Sequence, residues 1–96
     1  PTTVNDTLSR ARCTTGSKNV TANDSDPEGN YPLVLLSVTP GTKGAATVAS
    51  STTVQYESYG PTGSDVLTYT VRDSLGAQST GTLTVVRTSV IWRIGC

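Results

Sequence analysis

The sequence has no histidine, no methionine and no phenylalanine, and only one tryptophan and two cysteines among its 96 residues. Each shortage excludes something. Without histidine, and with no other base placed beside a serine or cysteine, a hydrolytic triad is ruled out. No glycine-rich phosphate loop follows a strand, and no basic face interleaved with aromatics points to nucleic acid. Seven basic residues balance seven acidic ones, so no net field draws the chain to polyanions or to an anionic membrane. No apolar run approaches the roughly 18–20 residues of a membrane span. With Pro1 first and no methionine, the chain is expected to be a processed product or an excised fragment, any targeting segment having been lost. Cys13 and Cys96 lie far apart and match no metal-site spacing. They read either as two unrelated thiols or as a disulfide. A disulfide would imply an oxidising, extracytoplasmic compartment and stabilise the fold by about 4–5 kcal/mol in the chain-entropy model.

What the sequence has in quantity is threonine, serine, valine and glycine. The β-branched residues pack well on a pleated surface and lose rotamer freedom in a helix, which favours strands. Ninety-six residues suffice for one domain with a modest core. An opening strand is expected over 1–12, poor in large apolar residues apart from Val4 and Leu8 and therefore at a sheet edge. A turn over 14–17 leads to a second strand over 18–22, with Val20 and Ala22 on one face. The most apolar run, 33–39, is short enough for a central strand, and Pro40-Gly41-Thr42-Lys43-Gly44 breaks it. Shorter strands follow at 45–49 and 53–57. The clearest alternation is 65–73, with Leu67, Tyr69 and Val71 facing one way, and a last strand over 79–87 turns Leu83 and Val85 inward. Seven short strands with no sustained helical period predict an all-β, seven-stranded Greek-key sandwich. It occupies residues 1–87. The apolar extension 88–96 forms an extra strand or a tail on the same domain, with Val90, Trp92 and Ile94 on one face.

One stretch concentrates charge of one sign. After Val20-Thr21-Ala22-Asn23, the chain carries Asp24, Asp26 and Glu28 at a spacing of two, with Pro27 and Gly29 holding it out of regular structure and Asn30 following. Three carboxylates in five residues repel one another unless a cation gathers them, and hard oxygen ligands of this kind suit Ca²⁺. An ordinary solvated acidic loop accounts for the same residues.

The order Val4-Asn5-Asp6, then Val20 to Asn30, then Ser37-Val38-Thr39, Thr47-Val48, Val54-Gln55-Tyr56 and Gly63-Ser64-Asp65…Leu67-Thr68-Tyr69-Thr70-Val71-Arg72-Asp73…Gly76 resembles the cadherin-like, immunoglobulin-like tandem repeats of large bacterial surface and secreted proteins. The resemblance covers about residues 1–86. It implies an immunoglobulin-like sandwich, extracellular or on the cell surface, strung in series with neighbouring repeats of the same chain and made rigid by Ca²⁺ at the junctions. Carried over residue by residue, Asp24 and Asp26 match the cadherin Asp-x-Asp pair, with Glu28 and Asn30 following in a loop one residue longer than the eukaryotic form. In this topology the chain start, the loop after the second strand and the loop after the sixth share one end. Asn5, Asp6, Asp24, Asp26, Glu28 and Asp73 would converge there, and Cys13 and Cys96 would fall at the other. Three features depart from the pattern: the basic Arg10-Ala11-Arg12 segment, both cysteines, and everything from Thr88 onward.

Other residues have plainer readings. Asp65 is expected to cap the backbone of the preceding corner. Tyr69 is expected in the core, its hydroxyl on a loop carbonyl in the manner of a tyrosine corner. Tyr31, Tyr59 and Trp92 are candidate sugar-stacking aromatics, which sets a carbohydrate- or protein-binding module against a structural repeat. Asn5, Asn19 and Asn23 head N-glycosylation triplets, of a kind that arises by chance in a chain this rich in serine and threonine. The apolar tail is a further candidate, for self-association through an uncovered edge.

Overall fold

The computed structural model describes residues 1–11, 14–39, 41, 44–58 and 63–88. Seven strands follow one another: β1 (Asp6–Ala11), β2 (Thr14–Asn19), β3 (Val34–Thr39), β4 (Gly44–Val48), β5 (Thr53–Ser58), β6 (Gly63–Arg72) and β7 (Gln78–Thr88). They form two sheets, one ordered β1-β7-β6-β3 and the other β2-β5-β4. Consecutive strands change sheet everywhere except at the β4–β5 and β6–β7 hairpins, which makes the sandwich a Greek key. All pairings are antiparallel except β1 with β7, which run side by side in the same direction from Asp6↔Leu83 to Ala11↔Thr88.

Alternation decides what is buried. Along β6, Asp65, Leu67, Tyr69 and Val71 are buried and their neighbours more open; β7 buries Leu83, Val85 and Arg87, and β5 buries Val54, Tyr56 and Ser58. With Val20 and Leu35 the apolar members form one cluster between the sheets, against which Leu8, Val38 and Ala46 pack. The inward faces of the 65–73 and 79–87 stretches, the sheet-edge position of the first strand and the seven-strand count are all as the sequence predicts.

The second strand differs. It spans Thr14–Asn19 and includes the residues expected to turn, while Val20 and Ala22 lie beyond its end, Val20 fully buried and Ala22 exposed. The cause is Arg10. A Cβ on Gly16 would collide with the Arg10 side chain, and the Arg10 guanidinium donates to the Thr15 carbonyl (3.0 Å). The inner face of β2 is thus covered by an arginine stem instead of its own apolar side chains, so no apolar period marks the strand. The first strand is also shorter than expected, because Pro1 to Val4 runs separately across the end of the sandwich, bridging Thr2 to Ser25. In β3 the register slips between Leu35 and Ser37, and this bulge leaves Leu36 exposed at a sheet edge. Cys13, Cys96, Tyr59, Trp92 and residues 89–96 lie outside the described residues, and with them the disulfide and the extra strand.

Candidate functional site

The acidic stretch forms the loop between β2 and β3, and its shape is set locally. Asn19 Oδ1 accepts from Thr21 N (3.1 Å) and Thr21 Oγ1 (3.2 Å), an Asx turn that ends β2. Val20 N donates across to Thr52 O (2.9 Å), and Asp24 N to Thr21 O (3.1 Å). This swings the Asp24 carboxylate inward, where Oδ1 accepts Val4 N (2.8 Å). Tyr69 Oη stands 3.1 Å from Asp6 Oδ2, 3.1 Å from the Val4 carbonyl, and 3.3 and 3.4 Å from the two oxygens of Asp24. A single hydroxyl proton therefore serves three acceptor groups. As expected, Tyr69 reaches a backbone carbonyl; the two carboxylates around it are an addition.

Asp26 closes its own turn. Its Oδ2 accepts Asn30 N (2.7 Å), its carbonyl accepts Gly29 N (2.9 Å), and its N–H donates to Tyr31 Oη (3.0 Å). Gly29 sits at a φ of 73°, a conformation that costs glycine little and other residues more. Asp26 Oδ1 is buried without a hydrogen-bond donor, and the Pro1 ammonium lies 3.7 Å away, an ion pair beyond hydrogen-bond reach. Asp73 likewise closes the β6–β7 turn: Oδ1 accepts Leu75 N (2.9 Å) and Ala77 N (3.0 Å). Ser74 N donates to Asn30 O (3.0 Å), which ties this turn to the acidic loop. The entering segment is sewn over both, through Thr2 to Ser25, Thr3 Oγ1 to Thr80 O (2.6 Å) and Ser79 Oγ to Pro1 O (2.5 Å).

Asp6, Asp24, Asp26 and Asp73 thus share one end of the molecule, all buried, with Asn30 between the two turns and Glu28 exposed. Burial, and secondarily the neighbouring Asp6, raises the Asp24 carboxyl above its ordinary range despite the Val4 hydrogen bond. For Asp26, burial pushes upward, but the Asn30 N–H, Glu28 and the terminal ammonium outweigh it and hold the carboxyl below its ordinary value. The Tyr69 hydroxyl is driven well above the usual phenol range, by burial first and then by Asp24 and Asp6. These carboxylates spend their oxygens on backbone N–H groups and a tyrosine. Among the described residues no three acidic, histidine or cysteine side chains are grouped so as to hold a metal ion. As arranged, the set is an internal hydrogen-bonded lattice in which Asp26 Oδ1 is buried without a donor.

At the far end stands a second polar pair that sequence reasoning missed. Tyr56 Oη donates to Asp65 Oδ2 (2.7 Å), both groups buried, with Arg87 buried on β7. Asp65 was expected to cap a corner; it takes a side-chain donor because it is in phase with Leu67, Tyr69 and Val71 and so points into the sandwich. That phase is the signal that would have found it. The backbone closes over the pair, since a Cβ on Gly41 would overlap the Asp65 carboxylate and one on Gly44 would overlap the Tyr56 hydroxyl and the Glu57 carbonyl.

Comparison with known proteins agrees with this architecture. The family model described as bacterial Ig domain matches residues 1–86. No curated protein matches the chain. Among solved structures, part of an endo-fucoidan hydrolase of glycoside hydrolase family 107 superposes with a TM-score of 0.56 at 11% identity, over 91% of this chain and 13% of that one. The PKD domain from KIAA 1837 protein superposes with a TM-score of 0.54 at 14% identity, over 96% of this chain and 87% of that domain. At such identities the likeness is one of fold. Among the described residues no helix is long and apolar enough to cross a membrane.

Proposed function

This chain belongs to the bacterial Ig domain family, and we propose that it works as a non-enzymatic spacer repeat of a cell-surface or secreted protein, carrying tension between neighbouring domains of the same chain. One observation carries this reading. The described chain enters at the acidic end, with Pro1 to Val4 sewn to the loop and to β7, and β7 runs out at the opposite end beside β1. The eleven residues of β7 span about 36 Å at ~3.3 Å per residue. Because β1 and β7 are parallel neighbours, pulling on the two ends slides one past the other. The ladder from Asp6↔Leu83 to Ala11↔Thr88 is then loaded in shear, its hydrogen bonds together instead of one after another.

Single-molecule pulling on the chain by its ends tests this. A distinct unfolding peak is expected, lowered by Ser9→Pro, which removes a backbone donor from β1. Extension with no resolved peak would remove the load-bearing role.

Calcium at the acidic end is a second reading, favoured by the buried Asp26 Oδ1 that lacks a hydrogen-bond donor. An ion binding only the folded state at a hundredfold excess over Kd adds about 2.7 kcal/mol. Melting in Ca²⁺ and in chelator, on the wild type and on Asp24→Ala/Asp26→Ala, tests it. A shift seen in the wild type and lost in the variant supports an ion, and superimposable melts remove it. The carbohydrate- or protein-binding alternative rests on a domain of this fold occurring in an endo-fucoidan hydrolase and on exposed Tyr31. Saturable glycan-array binding lost in Tyr31→Ala would favour it over the spacer.

A further inference from the structure

Each sheet of the sandwich has two edge strands, β1 and β3 in one and β2 and β4 in the other. An edge strand offers unpaired backbone N–H and C=O groups to any other strand, and folded proteins ordinarily block it with charge, a bulge or a covering group. Three of these four edges are blocked. Strand β1 carries Asp6 and Arg10, and β3 slips register between Leu35 and Ser37. On β2 the Arg10 guanidinium occupies the Thr15 carbonyl (3.0 Å), and the strand itself carries Lys18. Strand β4 has none of these. Its five residues, Gly44-Ala45-Ala46-Thr47-Val48, include no charge and no proline, and keep one register with β5 throughout.

The pairing with β5 fixes which groups of β4 are left over. Ala49 N donates to Thr53 O (2.9 Å), and in an antiparallel ladder hydrogen-bonded pairs alternate with non-hydrogen-bonded ones. Counting back from that bond, Thr47 and Ala45 exchange hydrogen bonds with Gln55 and Glu57. The N–H and C=O groups of Gly44, Ala46 and Val48 therefore point away from β5. Among the described residues no strand pairs with β4 on that side. The flank also exposes apolar side chains. Strands β3 and β4 edge the two sheets on the same side of the sandwich, where Leu36 and Val48 are each 41% exposed.

We infer that β4 pairs antiparallel with β4 of a second copy of this chain, joining the two three-stranded sheets into one of six strands. The strand is its own complement. With a two-fold axis at Ala46, Gly44 of each copy faces Val48 of the other, and Ala46 faces Ala46. Every outward N–H and C=O of one strand then meets one from the other. A register displaced by one residue would instead set outward-pointing groups against groups already bonded to β5. Side chains agree: Val48 lies opposite a glycine and Ala45 opposite Thr47, with no like charges to repel. Both copies use the same surface, so the interface is isologous and closes at a dimer. Pairing is side to side and leaves both ends of the sandwich to neighbouring domains, so it stands or falls apart from the spacer reading.

Sedimentation velocity over a range of concentrations, under reducing conditions so that no intermolecular disulfide contributes, tests it. The average mass of the full chain should rise with concentration and stop at a dimer. Ala46→Pro removes an N–H that points out of the sheet, a position where an edge strand accepts proline. It should raise the dimer dissociation constant at least about tenfold. Val48→Lys, which sets a charge on the edge and keeps every backbone donor, is a second variant and should do the same. Both should melt like the wild type at concentrations where all three are monomeric. Hydrogen exchange locates the contact: the Ala46 and Val48 amides should slow as concentration rises, and the Ser17 amide on the β2 edge should not. A chain that stays monomeric, assembly beyond a dimer, or a dimer that tolerates both substitutions would each overturn the inference.

Discussion

Both ends of this sandwich bury a tyrosine hydroxyl against aspartate, and they balance that charge in different ways. At the far end Tyr56 gives its proton to Asp65 at 2.7 Å, with Arg87 also buried there, under backbone that comes too close for any side chain. At the acidic end one Tyr69 proton faces Asp6, Asp24 and the Val4 carbonyl, and the shortfall is met by backbone donors from loops. Buried polar groups are costly when any member is left unsatisfied. The far end is therefore the tighter of the two, because Gly41 and Gly44 leave no room for a side chain over the pair. The acidic end is adjustable, because protonating a carboxyl supplies a donor that the lattice lacks.

Substitutions at the far end should have the largest effect. Gly44→Ala drives a Cβ into the Tyr56 hydroxyl and the Glu57 carbonyl. Overpacking against backbone costs about 1–3 kcal/mol, and here it also displaces the donor to Asp65. A fall in melting temperature equal to the cost of both is expected, and a melt unchanged from wild type would show that the end yields more easily than the contacts imply. Tyr56→Phe should follow closely, at about 1–3 kcal/mol for a buried acceptor that loses its donor.

Tyr69→Phe sharpens the contrast through pH. At neutral pH it removes the donor shared by two carboxylates, at about 1–3 kcal/mol. The raised Asp24 means that the folded protein binds more protons than the unfolded chain between the ordinary carboxyl value of 3.8 and the folded one. That group therefore adds stability as the pH falls through this window and withdraws it as the pH rises. In Tyr69→Phe a protonated Asp24 can donate to Asp6 in place of the tyrosine, so the deficit relative to wild type should shrink in the same window. Asp26 acts in the opposite sense: its lowered carboxyl gives a stabilisation present above 3.8 and lost as the pH falls through the folded value. Asp24→Asn, which keeps an acceptor for Val4 N and relieves the repulsion from Asp6, should abolish the Asp24 contribution to the pH profile while leaving that of Asp26. If Tyr69→Phe and wild type melt in parallel across the carboxyl range, the two ends do not differ in the way described.

The two ends also differed in how far their residues declared themselves. Strands β5, β6 and β7 were legible because each buries every second residue, and a period of two survives even where the buried residue is polar. The gathering of Asp6, Asp24, Asp26 and Asp73 at one end followed from strand order alone. What those carboxylates bond to did not, because a backbone N–H such as Val4, twenty positions from Asp24, leaves no trace in side-chain spacing. Residues 14–17 of β2 carry the signals of a turn because the strand's inner face is occupied by Arg10, which comes from another strand. The Tyr56–Asp65 pair is hidden from the sequence because its members lie on strands of different sheets, and an aspartate next to Gly63-Ser64 has the spacing of a corner cap as well as the phase of a buried residue.

The smallest effect expected here falls on a glycine of the acidic end, and it separates two uses of the same residue. Gly76 has a φ of 96° and nothing within 4 Å of the position a Cβ would take. It is kept for its conformation alone, whereas Gly44 is kept for space. Gly76→Ala should therefore cost only the backbone strain of a positive φ, of the order of 1 kcal/mol. Gly76→Asn should cost less, because asparagine tolerates positive φ better than alanine does. No such ranking should hold at position 44, where asparagine is larger than alanine and meets the same obstruction. Melting the four variants side by side gives the result directly. Alanine below asparagine at 76 and above it at 44 is the expected pattern, and the same order at both positions would mean that conformation and space do not divide between the two ends.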